Sequence, residues 1–537
     1  MFSSILCASL LTAAPQLLVA DASATVNEEV QSISVDYLHV GNGEVLENVL
    51  IQVADGKITA VIAGGKAPDD AVHLEGAHMT PGLIDAFSYL GVDSTTVEEA
   101  RETTASYSLA KSVRMSNPAF QNALEEGVTT AFLTPDSLNV FGGMGAVVKT
   151  AGGQPADLFA DEGSAAKLIK ADVALKISLG NDVSVGNHSP WGTPSGFYTR
   201  RPTTRMGAVW AIRSNFHWAK RYAEERKAGT AEYNPDMEVL LKVMNGELPL
   251  RVQARRNNDI QTVLRLAQEF GWKDVTIEEG TEAFRCAELI QESGFKVAAG
   301  PAYDALSRAI ASGPSLAELR LAADPPPICC ENLHEDIFVT DWEDGGPVYP
   351  KHVCDVDARP ADFHEVERNE FGMAVDPNYA DHDHDHGHDH DHGDHEGELA
   401  HIASDISLLI QNPRTATGLR SGRFSEGDKA TPALAALLDQ AGVPAVLGAA
   451  EAHDQGLTES SLIHQARRAV QYGLAPQRAL AMVTSRAAEF CGLGDRVGLA
   501  KVGYDADLVL WSGDPLSATS RPIYILVDGQ VMLDTRN

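Results

Sequence analysis

From Ser34 to Val61 apolar and polar residues alternate around Gly41, Gly43 and Gly56, a pattern that predicts short antiparallel strands joined by turns. The same texture returns between Arg496 and Met532, with turn residues at Gly503, Gly513-Asp514-Pro515 and Asp528-Gly529. Two β-rich ends around a long middle predict one β-sandwich built from both, residues 25–78 with 495–537. Over 79–494 short apolar runs alternate instead with helix-length amphipathic stretches, the rhythm of βα units. Eight strand candidates stand near Met79 to Asp85, Val128 to Thr134, Ala146 to Thr150, Val173 to Leu179, Leu250 to Arg255, Val275 to Glu279, Lys296 to Gly300 and Val443 to Ala449. Helices are clearest at Met206 to Lys227, Ile260 to Phe270, Glu282 to Glu292, Leu462 to Tyr472 and Pro476 to Phe490. Eight strands of this kind fit a (β/α)8 TIM-type barrel, so the expected class is α/β, a barrel with a composite β-sandwich domain.

The rhythm breaks over an insert, residues 315–430, which holds Asp324-Pro325-Pro326-Pro327 and the run DHDHDHGHDHDHGDHEGE at 381–398. That run has nothing apolar to bury and reads as a solvated loop. Its His382, His384, His386, His388, His390, His392 and His395 offer imidazoles for loosely bound zinc, nickel or copper, in many interchangeable sets. A charged loop that meets metal only incidentally explains the composition equally well.

With 537 residues, 44% of them hydrophobic, the chain can bury a large core. Its net charge of −33 argues against nucleic acid or an anionic membrane surface as partner. A small-molecule ligand suits it better. The apolar run from Ile5 to Ala20, followed by small residues at Ala22 and Ala24, predicts a signal peptide at 1–24 and an exported, periplasmic or secreted, protein without a membrane span in the mature chain. Five cysteines lie beyond it, too few for a disulfide scaffold; Cys354 has Cys329 and Cys330 as available partners.

Several tracts resemble the imidazolonepropionase-like branch of the amidohydrolase superfamily: MTPGLIDAFSYLG, ALEEGVTTAFLTPDSLNVFGGMGAVVKTAGG, LPLRVQARRNNDI, IEEGTEAF and GDRVGLAKVGYDADLVLWSGDPL. The resemblance implies a (β/α)8 barrel and, for intact members, hydrolysis of non-peptide C–N bonds by metal-activated water. It also implies where ligands belong. The two first-strand histidines would stand at Phe87 and Tyr89, the fifth-strand pair at Gln253 and Arg255, a sixth-strand histidine at Glu279, and an eighth-strand aspartate at Ala450 or Glu451. Phenylalanine has no lone pair to give, and Arg255 places a cation where a cation should bind. No histidine falls on a matched position.

Among the remaining candidates, Lys176 stands where a carboxylated lysine would bridge two metals, although an ordinary barrel lysine is the plainer reading. Glu278, Glu279 and Glu282 fit a pocket or the capping of a helix N-terminus about equally. His453 beside Glu451 is the best proton-transfer group left by the sequence, against the commoner case of a structural histidine. The expectation is therefore an amidohydrolase relative with no metal in its barrel, non-catalytic, forming a homo-oligomer or a hetero-oligomer with an active homologue. The alternatives are a working C–N hydrolase built on Glu279, Glu451, His453 and Lys176, and a metal-binding protein acting through the insert.

Overall fold

The computed structural model describes residues 31–153, 165–184, 201–300, 431–450 and 461–536, apart from positions 70, 74–75, 93–95, 97, 99–100, 102 and 181. The expected signal segment, the insert with its histidine run and cysteines, and Glu451 and His453 lie outside the described residues.

Eighteen strands are described. In chain order they are β1 (Gln31–His39), β2 (Val45–Ala54), β3 (Lys57–Ala63), β4 (Val72–His73), β5 (His78–Pro81), β6 (Leu83–Ser88), β7 (Val128–Leu133), β8 (Phe141–Met144), β9 (Ala146–Gly153), β10 (Ala165–Lys170), β11 (Leu175–Ser178), β12 (Leu250–Gln253), β13 (Val275–Glu278), β14 (Lys296–Ala299), β15 (Ala445–Leu447), β16 (Leu508–Trp511), β17 (Pro522–Val527) and β18 (Gln530–Asp534). With the intervening helices they form a mixed α/β fold.

The two chain ends meet in one sheet of eight strands, ordered β18-β17-β16-β5-β1-β2-β3 with β4 beside β1. Period-two burial explains it: Ile33, Val35, Val49, Ile51, Met79, Leu508 and Leu510 share its apolar core. Two hairpins in it turn on Asp-Gly pairs, Asp55-Gly56 and Asp528-Gly529, with φ of 51° and 75° and of 48° and 72°. Left-handed backbone at both positions is what a two-residue hairpin of favoured twist requires. The turns abut, since a Cβ added to Gly56 would lie 3.0 Å from the Asp528 carbonyl oxygen.

A buried lysine pins this sheet to the middle of the chain. Lys149, on β9, donates to Asp505 Oδ2 at 2.8 Å, to Asp507 Oδ1 at 2.9 Å and to Asp528 Oδ1. Asp505 also meets Lys57 and Arg496, and Asp528 meets Lys167. The aspartates of the GYDADL tract thus serve to neutralise one buried ammonium, whose charge without partners would be costly there.

In the middle region β11, β12, β13, β14 and β15 run parallel as consecutive neighbours, and β6 runs parallel to β7. A parallel bridge between Ser88 and Ala450 brings the end of β6 to the end of β15. Helices such as Arg205–Lys227, Asn257–Phe270 and Leu462–Gln471 bury Ile212, Phe216, Val263, Phe270 and Ala466 in the main core.

Three expectations need correction. Ala146 to Thr150 is a strand but pairs antiparallel with both β7 and β10, so seven of the eight candidates, not eight, run parallel. The candidate Met79 to Asp85 splits at Gly82, where any Cβ would collide with Thr129; β5 joins the chain-end sheet and β6 the parallel strands. Pro476 to Phe490 is two helices, Pro476–Met482 and Ser485–Phe490, divided at Thr484, whose hydroxyl donates to Leu480 O and Gly41 O. Among the described residues no helix is long and apolar enough to cross a membrane.

Candidate functional site

The C-terminal ends of the parallel strands and the turns that follow them carry two layers of charged groups. In the inner layer Glu278 of β13, fully buried, takes Arg251 Nε at 2.6 Å on Oε1 and Lys176 Nζ on Oε2. Thr134 donates to Oε2 as well, at 3.3 Å. Arg251 reaches further, donating to the Ala86 carbonyl at 2.5 Å and lying 3.9 Å from the centre of the Phe132 ring. Burial by itself would raise the Glu278 carboxyl, but the Lys176 and Arg251 charges outweigh it and hold the group below the usual carboxylate range.

The outer layer lies further along the chain from each of these strands, by one residue at Glu279 and two at Gln253. Gln253 follows Arg251 by two, and its Nε2 donates to Glu279 Oε2 at 3.1 Å and to Asp182 Oδ2 at 3.4 Å. The Arg255 guanidinium joins the same two carboxylates, through Nη1 to Asp182 Oδ1 at 2.8 Å and through Nε to Glu279 Oε2. Glu279 reaches this position because its backbone turns into the left-handed region, with φ of 68°. For a residue other than glycine that conformation is uncommon and is held only by surrounding structure.

The first strand faces this layer with aromatic groups. Phe87 and Tyr89, both buried, meet edge to face with ring centres 5.5 Å apart, and Lys176 Nζ lies 5.3 Å from the Phe87 ring centre. Phe87 fills the room left by two glycines: a Cβ on Gly448 would come within 2.5 Å of Phe87 Cβ, and one on Gly300 within 3.2 Å of its ring. Asp85 Oδ1 accepts from Phe87 N at 3.1 Å and Ala449 N at 3.0 Å, which ties the first and last parallel strands together. Ala450, at φ 50°, completes that tie by donating to the Phe87 carbonyl and accepting from Tyr89 N. Among the described residues no three His, Cys, Asp or Glu side chains are grouped as a metal set.

Comparison with known proteins gives this geometry a setting. The Amidohydrolase family model matches residues 379–533. Amidohydrolase tasK of Hapsidospora irregularis is 36% identical over 93 residues, which is 15% of this chain and only 10% of that protein. The crystal structure of an amidohydrolase from Thermotoga maritima superposes with a TM-score of 0.61 at 21% identity, covering 94% of this chain and 99% of that one. The likeness to the Amidohydrolase family thus lies in residues 379–533, and the fold is shared with the Thermotoga maritima structure.

Within this fold the sequence-derived positions fall into two groups. Gln253, Arg255 and Glu279 come together, and Phe87, Tyr89 and Ala450 adjoin one another through the first and last strands. Lys176 belongs to neither group, being bound to Glu278 in the layer beneath. Both readings of the acidic cluster find a place, with Glu279 in the cleft and Glu282 at a helix N-terminus. Glu278 lies inside among cations, and Glu282 makes no side-chain cap to its own 3-10 turn; its carboxylate instead accepts from Asn257 N, the first residue of the helix Asn257–Phe270. Sequence reasoning missed Arg251 and Asp182. Arg251 was legible, because it alternates with Gln253 and Arg255 along one strand face; Asp182, in a 3-10 turn after β11, had no such signal.

Proposed function

We propose that this protein is a non-catalytic amidohydrolase relative whose metal site has been replaced by internal ion pairs, and that it works by holding a small ligand or by pairing with an active homologue. One observation carries the reading: the Arg255 guanidinium lies between Asp182 and Glu279, engaging both carboxylates. The residues present do not fit a metal ion. At the positions the resemblance assigns to ligands stand two aromatic rings, a carboxamide whose nitrogen faces carboxylates, a permanently charged guanidinium and the Glu279 carboxylate that this guanidinium already holds, so a divalent cation would have to displace Arg255 before it met a free carboxylate. Lys176 could become a bridging ligand only by giving up its ion pair with Glu278 in a fully buried place, leaving that carboxylate to Arg251 alone.

The seven parallel strands support a barrel in which the β8–β9 segment closes the remaining gap, since β8 pairs with β11 and β9 with β7. The test is elemental analysis of the purified protein beside a hydrolysis screen over amides, lactams and ureido compounds. No turnover above a heat-treated control is expected. Turnover abolished by a chelator and restored by a divalent metal would overturn the reading.

A further inference from the structure

His39, the last residue of β1, and His78, the first of β5, stand on neighbouring strands of the chain-end sheet rather than on the parallel strands that carry the cleft residues. Their ring nitrogens Nε2 and Nδ1 lie 2.9 Å apart, with ring planes inclined by 24°. Tyr37 stacks on His78 with ring centres 4.5 Å apart and fixes its orientation. With metal–nitrogen bonds of about 2.05 Å, a nitrogen separation of this size corresponds to an N–metal–N angle of about 90°, the angle of square-planar or octahedral coordination rather than of a tetrahedron.

We propose that His39 and His78 form a two-imidazole site for a divalent ion of square-planar or octahedral preference, Ni²⁺ or Cu²⁺, with water filling the other positions. Both rings are only half-buried, so an ion can reach them from solvent. Burial, and next the neighbouring His78, push the His39 imidazole down to about 4, and burial also lowers His78; of the two facing nitrogens one carries the hydrogen of the 2.9 Å contact, and as the ion binds that hydrogen moves to the other nitrogen of its ring, freeing a lone pair on each side. The surrounding charge is favourable: Asp514 acts on both imidazoles and Asp36 on His78. Asp36 accepts from Gly76 N and Asp514 from Leu516 N, which holds both carboxylates in place. The site is independent of the reading of the barrel cleft and of the histidine run.

The experiment uses the full chain and Ni²⁺ alone, counted by equilibrium dialysis with elemental analysis in wild type, His39→Gln and His78→Gln. The histidine run contributes equally to all three. Each variant should hold one Ni²⁺ per chain fewer than wild type; equal counts would overturn the proposal and leave the pair as a hydrogen bond between neutral rings. Should the variants not fold, wild-type protein labelled at tyrosine decides: bound paramagnetic Ni²⁺ should broaden the resonances of the Tyr37 ring, assigned with Tyr37→Phe. A Tyr37 signal unchanged at saturating Ni²⁺ excludes the site.

Discussion

Arg251 Nε donates to Glu278 Oε1 at 2.6 Å in a place where both side chains are almost wholly buried. With Lys176 on the other oxygen, one carboxylate compensates two cations. Glu278→Gln should therefore lower stability by about 3–5 kcal/mol, the range for breaking a buried pair while leaving its partners charged. Urea titration measures it, and a loss under about 1 kcal/mol would show that other groups carry the compensation.

Acid should act on the chain-end sheet through Asp505. Burial alone would raise the Asp505 carboxyl from its usual 3.8, but hydrogen bonds from Lys149, Lys57 and Arg496 hold it down at about 2. A lowered carboxylate lends stability that is present above its unfolded value and disappears as pH falls through the folded one. The window is then from about 3.8 down to about 2. Asp507, raised by burial, has the opposite sign: its contribution fades as pH rises. Asp505→Asn should flatten the acid limb of thermal stability within that window, and Asp507→Asn should not; a reversed result would exchange their roles.

Phe87→His with Tyr89→His should not create a tight metal site. The first strand would gain two imidazoles, yet Gln253, Arg255 and Glu279 would remain as they are, with the guanidinium still engaged to both carboxylates. Calorimetric zinc titration of the double variant against its parent is the check. A new one-to-one binding event at micromolar affinity or tighter would show that a single strand had been lost rather than a whole site.

Gly448→Ala should cost about 1–3 kcal/mol by overpacking, because its methyl would meet Phe87 Cβ at 2.5 Å and the Phe87 carbonyl oxygen at 3.0 Å. Combining it with Phe87→Gly should cost less than the two changes added separately, since the 2.5 Å contact with Phe87 Cβ then disappears. Strict additivity in denaturant midpoints would mean that the two residues do not share this space.

What the sequence made legible followed its periodicities. Alternation located the chain-end strands, and the Asp-Gly pairs located two of their turns, because side-chain period and turn conformation are local properties. The direction of β9 was not local: VVKTAGG is as apolar as a parallel strand, and only its pairing with β7 and β10 makes it antiparallel. Glu278 and Glu279 posed a similar difficulty. They are adjacent, yet one points among the cations of the inner layer and the other, after a left-handed turn, joins the outer one. No pattern of residue types shows that change of direction.

The position of β5 between β1 and β16 has a consequence for how the protein is made. During synthesis β5 can pair with β1 early, but its other edge stays open until Leu508–Trp511 have left the ribosome. Lys149 likewise waits for Asp505, Asp507 and Asp528. An unpaired edge invites pairing with other chains. A chain stopped before residue 505 would therefore be aggregation-prone as well as shorter, and the last few dozen residues act as the closing step of the whole assembly.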